Sequence, residues 1–238
     1  MRYHTLAIVL LTTASLVHTA RAESPTTQPA TQPATQPDTQ PAASAKQRIV
    51  NAAGVDKLGQ IKSLSFTFNV DRDGKTVSSR GWQWEPATQR VTRTVGEQTH
   101  SYTRDKMSDA DRAVDGQFIN DSFWLLPALH VSWASDDVKI QDKGQVDLPI
   151  GEGKANLVTV TYPASGGYTP GDAYDLFLSE DDRVVAWHFR RGNADKPSMT
   201  NTFADYVRVG PLHIARDHRN ADGSFRLHFT DVKVTLND

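Results

Sequence analysis

The sequence predicts a mainly β (α+β) domain: a curved antiparallel half-barrel sheet wrapped around an N-terminal helix and a short central helical plug. Three observations carry this expectation. The apolar period drops from about 3.6 to 2 after residue 59. Most of the strand-like runs that follow are joined by only a few turn residues, which links antiparallel neighbours rather than parallel ones. One segment, residues 118–127, is apolar on every side and must be buried if it is helical.

The chain opens on a pattern with another purpose. Arg2 and His4 precede an apolar run from Leu6 to Val17, and Ala20-Arg21-Ala22 places small residues where a signal peptidase reads them. Residues 1–22 therefore read as a signal peptide. The run is about a dozen residues, short of the roughly 20 that span a bilayer, and no later stretch approaches that length. The composition includes Cys 0, so neither an N-terminal lipid-bearing cysteine nor a disulfide can form. Export without disulfides suits a bacterial envelope, and the mature protein is expected to be periplasmic, soluble and without a lipid anchor.

Residues 23–43 form a tether. Prolines at 25, 29, 33, 37 and 41 punctuate a near repeat of Thr-Gln-Pro-Ala that has nothing with which to build a core. Such a chain favours an extended form of ~3 Å per residue, which makes it a spacer. The folded domain is placed at residues 44–238. Loss of Arg2 and Arg21 takes the formal charge from −2 to about −4, and no basic stripe tracks a phosphate backbone, so nucleic acid is not an expected partner.

At Ser44 a capping box with Gln47 opens a helix that carries Ile49, Val50, Ala53 and Leu58 inward, with Gly59 as its stop. Leu64, Phe66, Phe68 and Val70 then alternate with polar residues as a half-buried strand. Asp71-Arg72-Asp73-Gly74 turns the chain, and the return strand puts Trp82 and Trp84 on one face, which Arg80 shares. Further strands are expected at about 89–95, 98–104, 137–142, 155–162, 172–179, 183–190, 199–208, 211–219 and 225–236, as one large meander. In the last of them the inward set shifts from Leu227 and Phe229 to Val232, Val234 and Leu236, which requires a bulge near Thr230-Asp231. Between strands, Phe118 to Leu126 forms the plug, capped by Asp121 or Ser122 and ended or kinked by Pro127.

Several pieces together resemble the LolA/LolB-type periplasmic lipoprotein-carrier superfamily and its lipoprotein-sorting relatives. They are the opening helix ending at Gly59, Gly81-Trp82-Gln83-Trp84-Glu85-Pro86 running on to Arg90, Phe118 to Leu126, Phe203 to Leu212, and Phe229 to Val234. The resemblance implies an incomplete barrel around an apolar cavity that takes the acyl chains of a lipid or an acylated protein. Burial of methylenes at ~0.8 kcal/mol each makes such binding feasible. The Thr-Gln-Pro tether and the absence of a lipobox cysteine depart from the carrier pattern, so a sorting role is not carried over.

On that reading the cavity candidates are Phe66, Phe68, Trp82, Trp84, Phe118, Phe123, Trp124 and Leu126, and the candidates for a polar head group are Arg80, Arg90 and Arg93, the last two on opposite faces of their strand. Each has a plainer alternative, as core for the aromatics and as solvated surface for the arginines. His218 and His228 flank a hairpin and, in a suitable register, pair across strands with His213 nearby, but no Cys or HExxH spacing supports a metal site. Asp71-Arg72-Asp73-Gly74 and Asp109-Ala110-Asp111 lack the remaining calcium-loop ligands and read as a turn and a solvated loop. Asn120-Asp121-Ser122 is a glycosylation sequon without meaning in a bacterial host. Gly166-Gly167-Tyr168 reads as a loop, and no nucleophile elbow, phosphate loop or dinucleotide fingerprint occurs. No cofactor, metal or catalytic residue is expected. The protein reads as a non-enzymatic binding module, or alternatively as a filled domain whose outer face or sheet edge docks an envelope protein.

Overall fold

A computed structural model describes residues 43–238. The expected signal peptide and most of the tether lie outside the described residues.

Ser44 caps the first helix, α1 (Ala45–Ala52), by accepting from the backbone N–H of Gln47 at 3.2 Å. The Gln47 side chain donates forward to Asn51 Oδ1 rather than back to the cap. The helix stops earlier than expected, because Gly54 takes a left-handed φ of 74° and Val55–Gln60 continues as a 3₁₀ turn. Gly59 lies inside that turn and is not the stop.

β1 (Ile61–Arg72), β2 (Lys75–Glu85), β3 (Arg90–Val95) and β4 (Gln98–Thr103) follow as an antiparallel meander. Asp73 and Gly74, both at positive φ, make the tight turn between β1 and β2. Register places Phe66 opposite Trp82 and Leu64 opposite Trp84. The alternation read from the sequence is therefore the inner face of a real sheet.

The central helix is longer than its apolar core suggests. α2 (Asp109–Leu125) is capped by Ser108, whose Oγ accepts from the Asp111 N–H at 3.2 Å while Asp111 Oδ2 accepts from the Ser108 N–H at 2.9 Å. Asp109-Ala110-Asp111 is thus its first turn rather than a loop, where acidic side chains suit the helix dipole. Asp121 and Ser122 lie buried in its interior instead of capping it. Pro127 opens a short α3 (Pro127–Ser132), so the break falls where proline requires it.

β5 (Lys139–Asp147), β6 (Lys154–Thr161), β7 (Ala173–Leu178), β8 (Val184–Arg190) and β9 (Met199–Thr202) form a second, five-stranded sheet in sequence order. β10 (Ala204–Val209), β11 (Leu212–Arg219) and β12 (Phe225–Leu236) then return to the first sheet, whose order is β10-β11-β12-β1-β2-β3-β4. The expected single meander is thus two antiparallel sheets, neither closed into a barrel. The run 199–208 read as one strand crosses between them at buried Phe203, with Asp205 at a φ of 55° just beyond. The bulge anticipated in β12 is present: pairing with β1 jumps from Thr67–Thr230 to Ser65–Lys233, and Asp231 takes a φ of 53°.

α2 fills the concave side. Phe118 lies 5.5 Å from Trp82 and 6.1 Å from Trp84 between ring centroids, and Phe229 meets Phe66 and Phe68 edge-on, both at 5.8 Å. A second aromatic group, Tyr174, Trp187 and Phe203, packs on Phe123 and Trp124 from the five-stranded sheet and the crossing point. Among the described residues, no helix is long and apolar enough to cross a membrane.

Candidate functional site

Two neighbouring openings lie between the helices and the five-stranded sheet. One, about 310 Å³, is lined by Arg104, Phe123, His130, Trp133, Val138 and Tyr162 among others. The other, about 360 Å³, is lined by Trp124, Tyr174, Trp187, Phe189 and Met199. Each is at the lower end of the ~300–1,000 Å³ range of small-molecule sites. They share Ile119, Phe123, Tyr168 and Thr169. The loop 163–171 therefore crosses one groove as a strap and divides it in two.

The strap is bonded at its base, where the Tyr162 N–H donates to Asp172 O at 2.9 Å and the Gly171 N–H to Pro163 O at 2.7 Å. Its tip is held by Tyr168, whose hydroxyl donates to Asp115 Oδ2. Asp115 has no exposed surface, and its other oxygen accepts from Tyr102 Oη at 2.8 Å and Arg104 Nε at 2.9 Å. A carboxylate so buried requires such donors, and three of them come from β4, the segment after it and the strap. Burial, and then the neighbouring Asp115, push the Tyr168 hydroxyl above its ordinary value.

The mouth of the groove exposes three large apolar side chains beside charged residues such as Asp137 and Arg191. Trp133, Tyr168 and Met199, at 38%, 47% and 37% exposure, are three of the chain's large exposed apolar residues, and all line the openings. Inside, burial lowers the His130 imidazole to about 3, helped by Arg104, so it is neutral at ordinary pH. Its Nε2 lies 3.0 Å from Ser122 Oγ. Ser122 is buried in α2 and lines neither opening, which keeps its hydroxyl away from anything bound there. Burial likewise pushes Tyr174 up to about 12.

The eight aromatic and aliphatic candidates of the sequence are all buried. Phe123 lines both openings and Trp124 one of them. Phe66, Phe68, Trp82, Trp84 and Phe118 pack on one another inside the seven-stranded sheet, and Leu126 lies beneath α1 in a small recess with Ile49 and Ala53. None of the three arginine candidates lines the groove. Arg80 is bonded through two nitrogens to buried Asp121, at 2.8 and 2.7 Å, and lies over the Phe68 ring. Trp82 Nε1 and Asn120 Nδ2 complete the Asp121 shell, while burial pushes its carboxyl up against the pull of Arg80. Arg93 donates to Gln117 of α2 at 3.0 Å, and Arg90 is exposed.

His218 and His228 do not meet. His218 pairs in register with Leu227 and is buried among aromatics, whereas His228 pairs with Asp217 and its ring lies 3.1 Å from Asp71 on the opposite face. The residues that sequence reasoning missed are Arg104, Asp115, Trp133, Tyr162, Tyr168, Tyr174 and Trp187. Their association depends on tertiary contacts that have no local signature.

No family model matches the sequence, and no curated protein matches it. Among solved structures, the chain is similar to a DUF1329 family protein from Desulfovibrio piger, with 10% identity and a TM-score of 0.44 over 80% of this chain and 91% of that one.

Proposed function

We propose that the protein is a non-enzymatic, exported binding module that holds an acyl chain, of a lipid or an acylated protein, in the strapped groove. The observation that carries this reading is the groove itself: two adjoining openings walled by the aromatic rings of Phe123, Trp124, Tyr174 and Trp187, with Asp172 and Arg191 on the second and with Trp133, Tyr168 and Met199 exposed at the mouth. An elongated apolar chain suits that shape, since each methylene removed from water contributes ~0.8 kcal/mol. The resemblance to lipoprotein carriers supports the same ligand class. Native mass spectrometry of protein purified from its own host, before and after organic extraction, tests it. A bound mass that disappears on extraction supports the reading and identifies the ligand.

A second reading has its own support. The concave face of the seven-stranded sheet is filled by Phe66, Phe68, Trp82, Trp84 and Phe118, leaving no room there for cargo. If the purified protein carries nothing and takes up no amphiphile, docking of an envelope protein on an outer face or sheet edge becomes the better account.

A further inference from the structure

Arg104 is an unusual residue to find on the wall of an apolar cavity. Its side chain is 18% exposed, and its guanidinium carbon lies 5.2 Å from the Trp133 ring centroid and 5.8 Å from that of Phe118. Its ion pair with Asp115 runs through Nε, and among the described residues it has no other carboxylate partner. Asp115 in turn is shared with Tyr102 and Tyr168. The guanidinium fork therefore has its Nε edge fixed on Asp115 and its terminal edge free of any carboxylate, with the Tyr168 hydroxyl as its polar neighbour, a geometry suited to receiving two oxygens side by side.

The other ionisable groups around this opening do not compete for that role. His130 is neutral, Tyr162 and Tyr168 are phenols held protonated by burial, and Asp137 is exposed at the rim. Arg104 is thus the cation that the interior of this opening presents, whereas the second opening carries an exposed Arg191 together with Asp172. The rest of its lining is aromatic, aliphatic or small polar.

We infer that Arg104 receives the head of a long-chain carboxylate, bidentate through its terminal nitrogens, with the tail running beneath Tyr168 along Phe123 into the second opening. This rests on the reading of the groove as an acyl site and specifies which acyl compounds it takes: anionic ones in preference to neutral or cationic ones of equal length. The two openings meet at Ile119, Phe123, Tyr168 and Thr169, so the tail path is continuous with the head position.

The test is a head-group series at constant chain length, measured by isothermal titration calorimetry on the full mature chain: dodecanoate, dodecanol and dodecyltrimethylammonium. Dodecanoate is expected to bind at least tenfold more tightly than dodecanol, with the ammonium compound weakest. Arg104→Gln is expected to abolish the preference of dodecanoate over dodecanol, so that the two bind alike, a shift in selectivity that a merely structural role would not produce. If that change unfolds the domain by stranding Asp115, Arg104→Gln/Asp115→Asn removes both charges and is measured in its place. Equal binding of dodecanoate and dodecanol by the unaltered protein, or a preference that survives loss of Arg104, overturns the inference and leaves the apolar groove standing. Failure of all three compounds to bind overturns the groove reading itself.

Discussion

Tyr168, in a half-exposed loop, donates its hydroxyl hydrogen bond to Asp115, a carboxylate with no exposed surface, and thereby fastens the strap across the groove. Tyr168→Phe removes the fastening and keeps the ring. A single hydrogen bond to a charged group is worth about 1.5–3 kcal/mol, less where one partner is half exposed. We expect amide exchange in residues 163–171 to accelerate markedly in the variant, measured by hydrogen–deuterium exchange, while the midpoint of global unfolding moves little. Unchanged exchange would mean that the bonds at the strap's base hold it alone.

The Arg80–Asp121 pair belongs to the architecture of the domain. Asp121→Ala strands a partly buried guanidinium and the Trp82 indole N–H, and Arg80→Ala strands a buried carboxylate. Each is expected to cost about 3–5 kcal/mol in urea unfolding. The double variant should cost clearly less than the two singles added together, since removing both charges leaves neither unpaired.

Gly54→Ala tests how α1 is seated. A side-chain carbon at this position would lie 2.0 Å from Pro211 O, and the left-handed backbone adds its own penalty of ~1–2 kcal/mol for an L-residue. The neighbouring Ala53 carbonyl accepts the His213 N–H at 3.0 Å, so the helix end is fixed to the β10–β11 turn just where the clash would fall. A loss of about 2 kcal/mol or more is expected in thermal unfolding. A smaller loss would show that the turn yields.

Acid should destabilise the fold through its buried imidazoles. Burial lowers both His130 and His218 from the ordinary imidazole value of 6.5 to about 3. Between those values the unfolded chain binds protons that the folded one refuses, so stability is complete above about pH 6.5 and falls as the pH drops towards 3. Each histidine contributes up to about 1.4 kcal/mol per pH unit in that window. His218→Phe should flatten the urea-midpoint profile between pH 6 and 4 relative to the unaltered protein. An unchanged slope would assign the acid sensitivity to other groups.

The parts of the fold that were legible in the sequence are those set by local periodicity. Phe66 and Phe68 alternating with polar residues, Trp82 and Trp84 on the return strand, Pro127 at the helix break and the phase change at Thr230-Asp231 all appear where the pattern places them. The start of α2 was hidden, because Asp109-Ala110-Asp111 has the composition of a loop and its helical role depends on Ser108 capping it. The change of sheet at Phe203 was hidden too, since no glycine or proline interrupts residues 199–209 to mark it. The groove was the least legible part. Tyr168 and Asp115 are 53 positions apart, and nothing near either residue announces the other. Arginines beside tryptophans on a strand suggested a polar site, yet Arg80 is bound to Asp121, which the helix brings from across the core.

β12 lies near the middle of the seven-stranded sheet, paired to β1 from Arg72–Phe225 to Ile61–Leu236. During synthesis the first strand must therefore wait, with one side unpaired, until more than a hundred and fifty further residues have followed it. β1 to β4 can form only a meander with an open inner edge in that interval, and such an edge is an invitation to pair with a neighbouring chain. Completion of the domain is a late event that depends on its last dozen structured residues. Chaperone demand during synthesis, and aggregation of chains cut short near residue 224, are consequences built into the strand order.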